Sequence, residues 1–155
     1  MGVLRCYTDI VKILLWRDDI NISSKINDGF TLITVAATKG HTDIVKISLR
    51  RDDININSMT HDGATVFHLA AINGVNTKIT EMLLQRHSYI ESKDNKGNTA
   101  FHYAARYNII GSFTLLLEKG ADINTVNNRG QTALHVATYK SNANIFNTLL
   151  EKDSS

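Results

Sequence analysis

Gly97-Asn98-Thr99-Ala100-Phe101-His102-Tyr103-Ala104-Ala105 is the stretch on which the reading of this chain turns, because it recurs in four versions. Downstream it returns as Gly130-Gln131-Thr132-Ala133-Leu134-His135-Val136-Ala137. Upstream it reads Gly63-Ala64-Thr65-Val66-Phe67-His68-Leu69-Ala70-Ala71 and, before that, Gly29-Phe30-Thr31-Leu32-Ile33-Thr34-Val35-Ala36-Ala37. The glycines step by 34, 34 and 33 residues. Such a period implies supersecondary units that cannot bury their apolar faces alone and gain a core by stacking.

Each unit opens on a turn signal: Asn27-Asp28-Gly29, His61-Asp62-Gly63, Asn95-Lys96-Gly97 and Asn128-Arg129-Gly130. Glycine accepts positive φ there, and Asn or Asp is expected to bond its own backbone. Thr31, Thr65, Thr99 and Thr132 stand where N-caps belong. First helices are predicted over 32–39, 66–73, 100–107 and 133–140, with alanine pairs that admit close neighbours. Second helices are predicted over 42–51, 77–86, 110–119 and 143–152, with apolar stripes such as Ile79, Met82, Leu83, Leu84 and Phe113, Leu115, Leu116, Leu117. The text Thr8-Asp9-Ile10-Val11-Lys12-Ile13 returns as Thr42-Asp43-Ile44-Val45-Lys46-Ile47, so 1–25 reads as the back half of a unit. Complete units follow at 26–59, 60–93, 94–126 and 127–155, in one continuous domain. The extra residue of the first complete unit falls within 51–57, after its second helix; that of the next falls within 74–77, between its helices. With no proline in the chain, no helix is broken from within.

Composition excludes several classes. Lys and Arg total 17 against 15 Asp and Glu, which gives no general polyanion-binding signal, so no nucleic-acid partner is expected. No apolar run approaches the roughly 20 residues of a membrane span, so no membrane insertion is expected. No secretory signal is visible at the N-terminus, and the single cysteine, Cys6, cannot form an internal disulfide, so an intracellular location is expected. Met1-Gly2 suggests N-myristoylation, but Cys6 stands where that motif wants Ser or Thr.

On these residues the chain resembles the ankyrin repeat family. The third complete unit carries the resemblance most fully: Gly97, Thr99, His102, Ala104 and Ala105, then Leu115-Leu116-Leu117-Glu118-Lys119-Gly120-Ala121-Asp122-Ile123-Asn124. The resemblance implies an all-α solenoid of stacked antiparallel helix pairs joined by short hairpin-like turn loops. Departures from the family pattern are Leu32, Val66, Ala100 and Ala133 in place of its proline, and Thr34 in place of its histidine. Asn108 and Ser141 replace the glycine that ends the first helix, and Ser48 replaces a core leucine. These departures are expected to lower stability, which in such arrays is roughly a sum of unit and neighbour terms.

His68, His102 and His135 invite a metal reading, but one histidine per layer, with layers roughly 8–10 Å apart, cannot converge on one ion. They are expected to bond backbone groups that brace the turn loops, while His41, His61 and His87 share no spacing. Asp18-Asp19 and Asp52-Asp53 read as solvated loops. No nucleophile elbow, phosphate loop or metalloprotease motif appears, so catalytic residues, cofactors and metals are expected to be absent.

The resemblance implies a concave face made from the turn tips and the exposed side of the first helices. Positions there that the fold does not dictate are the partner-binding candidates: Phe30, Lys39, His61, Asp62, Ile72, Asn73, Lys96, Asn98, Arg106, Tyr107, Arg129, Gln131, Tyr139 and Lys140. Arg106, Tyr107, Arg129, Tyr139 and Lys140 combine aromatic and basic groups, the types enriched in interface hot spots, so the binding core is expected in the third and fourth units. Asn124 resembles the context in which ankyrin asparagines are β-hydroxylated.

The function expected is a non-catalytic module binding a partner protein, whose identity the sequence does not give. An inhibitor of the I-kappa-B class, masking a transcription factor, is one form this could take. The alternative is a regulatory or targeting segment of a larger enzyme, channel or effector. Ile10, Ile13 and Leu14 at one end, and Phe146 and Leu149 at the other, are expected to lack cover. That points to a piece of a longer array with further repeats, or to end-to-end self-association.

Overall fold

The computed structural model describes residues 9, 11, 13, 17, 19–74, 77–86 and 90–153. Cys6, Ile10, Leu14, Asp18 and His87 lie outside them, as does the side chain of Leu149. Among the described residues there are eight α-helices, a short 3-10 turn at Asn27–Gly29 and no strands: α1 (Leu32–Lys39) and α2 (Thr42–Ser48), α3 (Val66–Ala71) and α4 (Lys78–Gln85), α5 (Ala100–Arg106) and α6 (Ile110–Glu118), α7 (Ala133–Tyr139) and α8 (Ala143–Asp153). None is long and apolar enough to cross a membrane.

Each pair packs internally, and α1, α3, α5 and α7 form an unbroken row; behind them α2 packs on α4 and α6 on α8. The row is possible because Ala37, Ala71, Ala105 and Ala137 are fully buried where the helices meet. Phe101 and Phe113 stack at 4.3 Å between α5 and α6.

The first helices begin where the threonines put them. Thr31, Thr65, Thr99 and Thr132 hold extended backbone at the N-cap, and the side chain three residues on accepts their N–H. That side chain is Thr34 Oγ1 (2.7 Å), His68 Nδ1 (3.2 Å), His102 Nδ1 (3.2 Å) and His135 Nδ1 (3.3 Å). A donor left free by the helix start is thereby satisfied.

Two helices stop short of expectation. The α2 helix closes at Ser48, where the Arg51 N–H bonds the Ser48 carbonyl at 3.2 Å in a tightened last turn. The α3 helix closes at Ala71, and Asn73 beyond it turns inward.

Elsewhere the exit is a left-handed residue: Gly40 at φ 76°, Asn108 at 58° and Ser141 at 57°. The next N–H then reaches back five residues, from Ile109 to the Ala104 carbonyl (2.9 Å) and from Asn142 to that of Ala137 (3.0 Å). An L-residue in this region costs about 1–2 kcal/mol, whereas glycine loses about 0.5–1 kcal/mol through chain entropy. Ser141→Gly is therefore expected to stabilise the fold by about 0.5–1 kcal/mol, and Asn108→Gly by at least as much, since it also removes a buried side-chain oxygen that has no hydrogen-bond partner among the described residues. Urea unfolding midpoints check both.

Among the described residues three core hydroxyls lack a hydrogen-bond partner: Ser48, Thr80 and Ser112. Ser48 fills the leucine slot noted above and is fully buried. An unpartnered buried polar group costs about 1–3 kcal/mol, so Ser48→Ala and Ser112→Ala should each stabilise by about 1 kcal/mol. A thermal midpoint that falls in either variant would count against this.

At the N-terminal side an apolar cavity of about 370 Å³ is lined by Ile20, Ile22, Ile26, Leu32 and Val35 among others. Ile13 is largely exposed, as its position suggested. Phe146 instead packs, half-buried, against the core. The acidic loops are organised by arginine: Arg17 and Arg51 each clasp the aspartate two residues on, Asp19 and Asp53, through both carboxylate oxygens. Those hydrogen bonds hold the two carboxyls below their ordinary pKa.

Candidate functional site

The turn loops share one construction. A backbone bond closes each, from the N–H of Ile26, Thr60, Asp94 and Asn127 to the carbonyls of Phe30, Ala64, Asn98 and Gln131. Inside the third loop the Asp94 carboxylate accepts the N–H groups of Lys96 and Asn98, both at 2.8 Å. In the fourth, Asn127 Oδ1 accepts those of Arg129 (3.0 Å) and Gln131 (3.1 Å). The recurrence of Thr60, Asp94 and Asn127 three residues before each glycine was the available signal for this role.

Adjacent tips are bonded to one another. His61 N–H reaches the Asp28 carbonyl (2.8 Å), Asn95 that of Asp62 (3.0 Å) and Asn128 that of Lys96 (3.0 Å). The side chains of Asn95 and Asn128 extend the ladder, donating to the carbonyls of His61 (2.8 Å) and Asn95 (3.1 Å). Sequence reasoning expected these asparagines to bond their own turns; they reach across to the preceding unit instead.

The histidines brace the same loops from within. His68 Nδ1 accepts the Thr65 N–H, so its proton sits on Nε2, which donates to the Asn98 carbonyl at 3.0 Å. His102 repeats the pattern onto the Gln131 carbonyl at 2.9 Å. Burial pushes both pKa values down, partly opposed by those carbonyls and by the Asp94 carboxylate. Tyr103 packs edge-on against His68 at 5.1 Å and donates to Asp94 at 3.0 Å. Burial, then the charge of Asp94, raises its pKa. In the first complete unit Thr34 makes the local bond but has no second ring nitrogen for the next loop.

Upon this frame the expected binding residues divide. Lys96, Asn98, Arg106, Arg129, Gln131, Tyr139 and Lys140 line one cavity of about 420 Å³, together with Asn95, Asn127, Asn128 and Val136. Its lining holds four cations and no carboxylate. None of Lys96, Arg106, Arg129 and Lys140 has an ion-pair partner among the described residues. Tyr139 is 81% exposed and Tyr107, beside the cavity, 53%. Arg106 lies 5.9 Å from the Tyr107 ring centroid and Lys140 6.0 Å from that of Tyr139. Asn98 and Gln131 also have structural work, since Asn127 donates to both side chains, at 3.0 and 3.4 Å.

The other candidates lie outside this cavity. Lys39, His61 and Asp62 are exposed, and Phe30 and Ile72 are partly covered. Asn73 corrects the expectation of an exposed contact: it is 7% exposed and donates to the carbonyls of Ala37 (3.2 Å) and Thr38 (3.3 Å) at the end of α1. Asn142 does the same for Ala105 (2.7 Å) and Arg106 (3.1 Å), a role sequence reasoning did not assign. Asn124 is exposed in its turn, with its backbone N–H on Asp122 Oδ1 at 2.9 Å.

The family model described as ankyrin repeats (3 copies) matches residues 3–94, 33–127 and 78–155 in overlapping windows. No curated protein matches the chain. With the repeated helix pairs, bonded turn tips and bracing histidines in place, the chain belongs to the ankyrin repeat family.

Proposed function

We propose that this chain is a non-catalytic module that holds a partner protein across a concave face formed by its turn tips and the exposed ends of α1, α3, α5 and α7. Ankyrin repeats are in general protein–protein interaction modules. The observation that carries the reading to a particular surface is the cavity over the third and fourth units, with its unpaired cations and exposed tyrosine. Tyr and Arg supply large contact areas in few rotamers and are common among interface hot spots. The bonded loops beneath hold that surface in shape before a partner arrives, which lowers the ordering cost of binding. A standard interface of about 1,600 Å² would extend beyond this cavity over most of the face.

The test compares capture by the wild-type chain with capture by an Arg106→Ala/Tyr107→Ala/Tyr139→Ala variant. These side chains are exposed, so circular dichroism should be unchanged while specific partners are lost. Equal capture by the two proteins would place the binding core elsewhere.

A further inference from the structure

The four turn tips differ in sign along the stack. The residue before each glycine is Asp28, Asp62, Lys96 and Arg129, and all four are exposed. Successive tips are neighbours in space, because a backbone bond joins each to the next. The helix ends beside them add cations over the last two complete units, Arg106 and Lys140, while the first two carry one cation, Lys39, and the uncharged Ile72. The exposed face is thus mixed over its first half and strongly cationic over its second.

We propose that this face takes an extended polypeptide segment of divided charge, acidic where it crosses the third and fourth units and neutral or basic where it crosses Asp28 and Asp62. This deepens the protein-binding reading above and rests on it. Layers stack roughly 8–10 Å apart. An extended chain rises about 3.3 Å per residue, so about three partner residues face each tip. The change of sign in the partner therefore falls within a few residues, opposite the Asp62-to-Lys96 step. Carboxylates there meet cations that have no competing acid in the lining. A nucleic-acid strand fits less well, because it carries a phosphate about every 3.4 Å and would be driven off at the aspartate tips.

The test uses fluorescein-labelled synthetic peptides and fluorescence anisotropy at low ionic strength. Two peptides carry a glutamate-rich half and a lysine-rich half, in opposite chain orders. Controls are a uniformly glutamate-rich peptide, the divided peptides with glutamine for glutamate, and a single-stranded oligodeoxynucleotide. One divided peptide is expected to bind about tenfold more tightly than any control. Arg106→Ala/Arg129→Ala should cost about tenfold, while Lys46→Ala on α2 changes nothing. Asp28→Asn/Asp62→Asn should narrow the preference over the uniformly acidic peptide. The inference is overturned if neither divided peptide binds, if the uniform peptide or the oligonucleotide binds as tightly, or if the arginine variant binds unchanged. If that happens while the triple-alanine variant still loses its captured partner, the charge pattern fails and the binding surface stands.

Discussion

Replacing Gly97 with alanine is expected to destabilise the fold by about 3 kcal/mol or more, whereas Gly130→Ala should cost about 1–2 kcal/mol. Both glycines hold left-handed backbone, φ 75° and 70°, so an L-residue is strained at either. They differ in what a Cβ would meet. At Gly97 it would lie 2.4 Å from Asn128 Oδ1 and 2.7 Å from the Asn128 backbone nitrogen. At Gly130 nothing lies within 4 Å. Asn128 cannot step aside freely, because its N–H bonds the Lys96 carbonyl and its side chain bonds that of Asn95. Each lost bond adds about 1 kcal/mol to the backbone strain. Gly63 is the internal replicate, with Asn95 atoms at 2.4 and 2.6 Å. Urea unfolding of the three variants decides it: equal losses would mean that strain alone acts and that the tips are not in contact.

That contrast also shows how far a single chain's text reaches. The glycine recurrence was legible, since each copy answers the same local demand for positive φ, and so were the helix starts at Thr31, Thr65, Thr99 and Thr132. The direction taken by Asn95 and Asn128 was not. An asparagine before a glycine has local partners enough to explain its presence, and only the spacing of stacked loops brings the preceding carbonyl closer. Asn73 failed for a different reason. Its register with Tyr107 and Lys140 suggested exposure, but it turns inward onto the carbonyls of Ala37 and Thr38, the counterparts in the first complete unit of the Ala105 and Arg106 carbonyls that Asn142 holds. Of the binding surface, the grouping of Lys96, Arg106, Arg129 and Lys140 followed from the repeat alone. Their freedom from acidic partners depends on where every neighbouring carboxylate points, and periodicity carries no record of that.

The two buried histidines should make the fold lose stability as pH falls from about 7 towards 5, by up to about 1.4 kcal/mol per pH unit for each ring. Both have pKa values lowered by burial, so between the folded and unfolded values the unfolded chain binds more protons. Their contribution is therefore complete above the unfolded value near 6.5 and is lost as pH falls towards the depressed folded value. Structure gives the reason. Each Nδ1 already faces an N–H donor, on Thr65 or Thr99, and a proton placed there turns an acceptor into an opposing donor. Around His68 the Asp94 carboxylate opposes the shift; around His102 the Lys93 cation adds to it, while Asp94 and Glu91 oppose it. Asp19 and Asp53 do not confuse the window, because their contributions are lost only below the ordinary carboxylate range of about 3.9. Urea midpoints from about pH 7.5 to about pH 5 should fall steeply for the wild type. The His68→Gln/His102→Gln variant should start lower, having lost the bonds to Asn98 and Gln131, and change far less. Parallel curves for the two proteins would show that these rings do not govern the acid response.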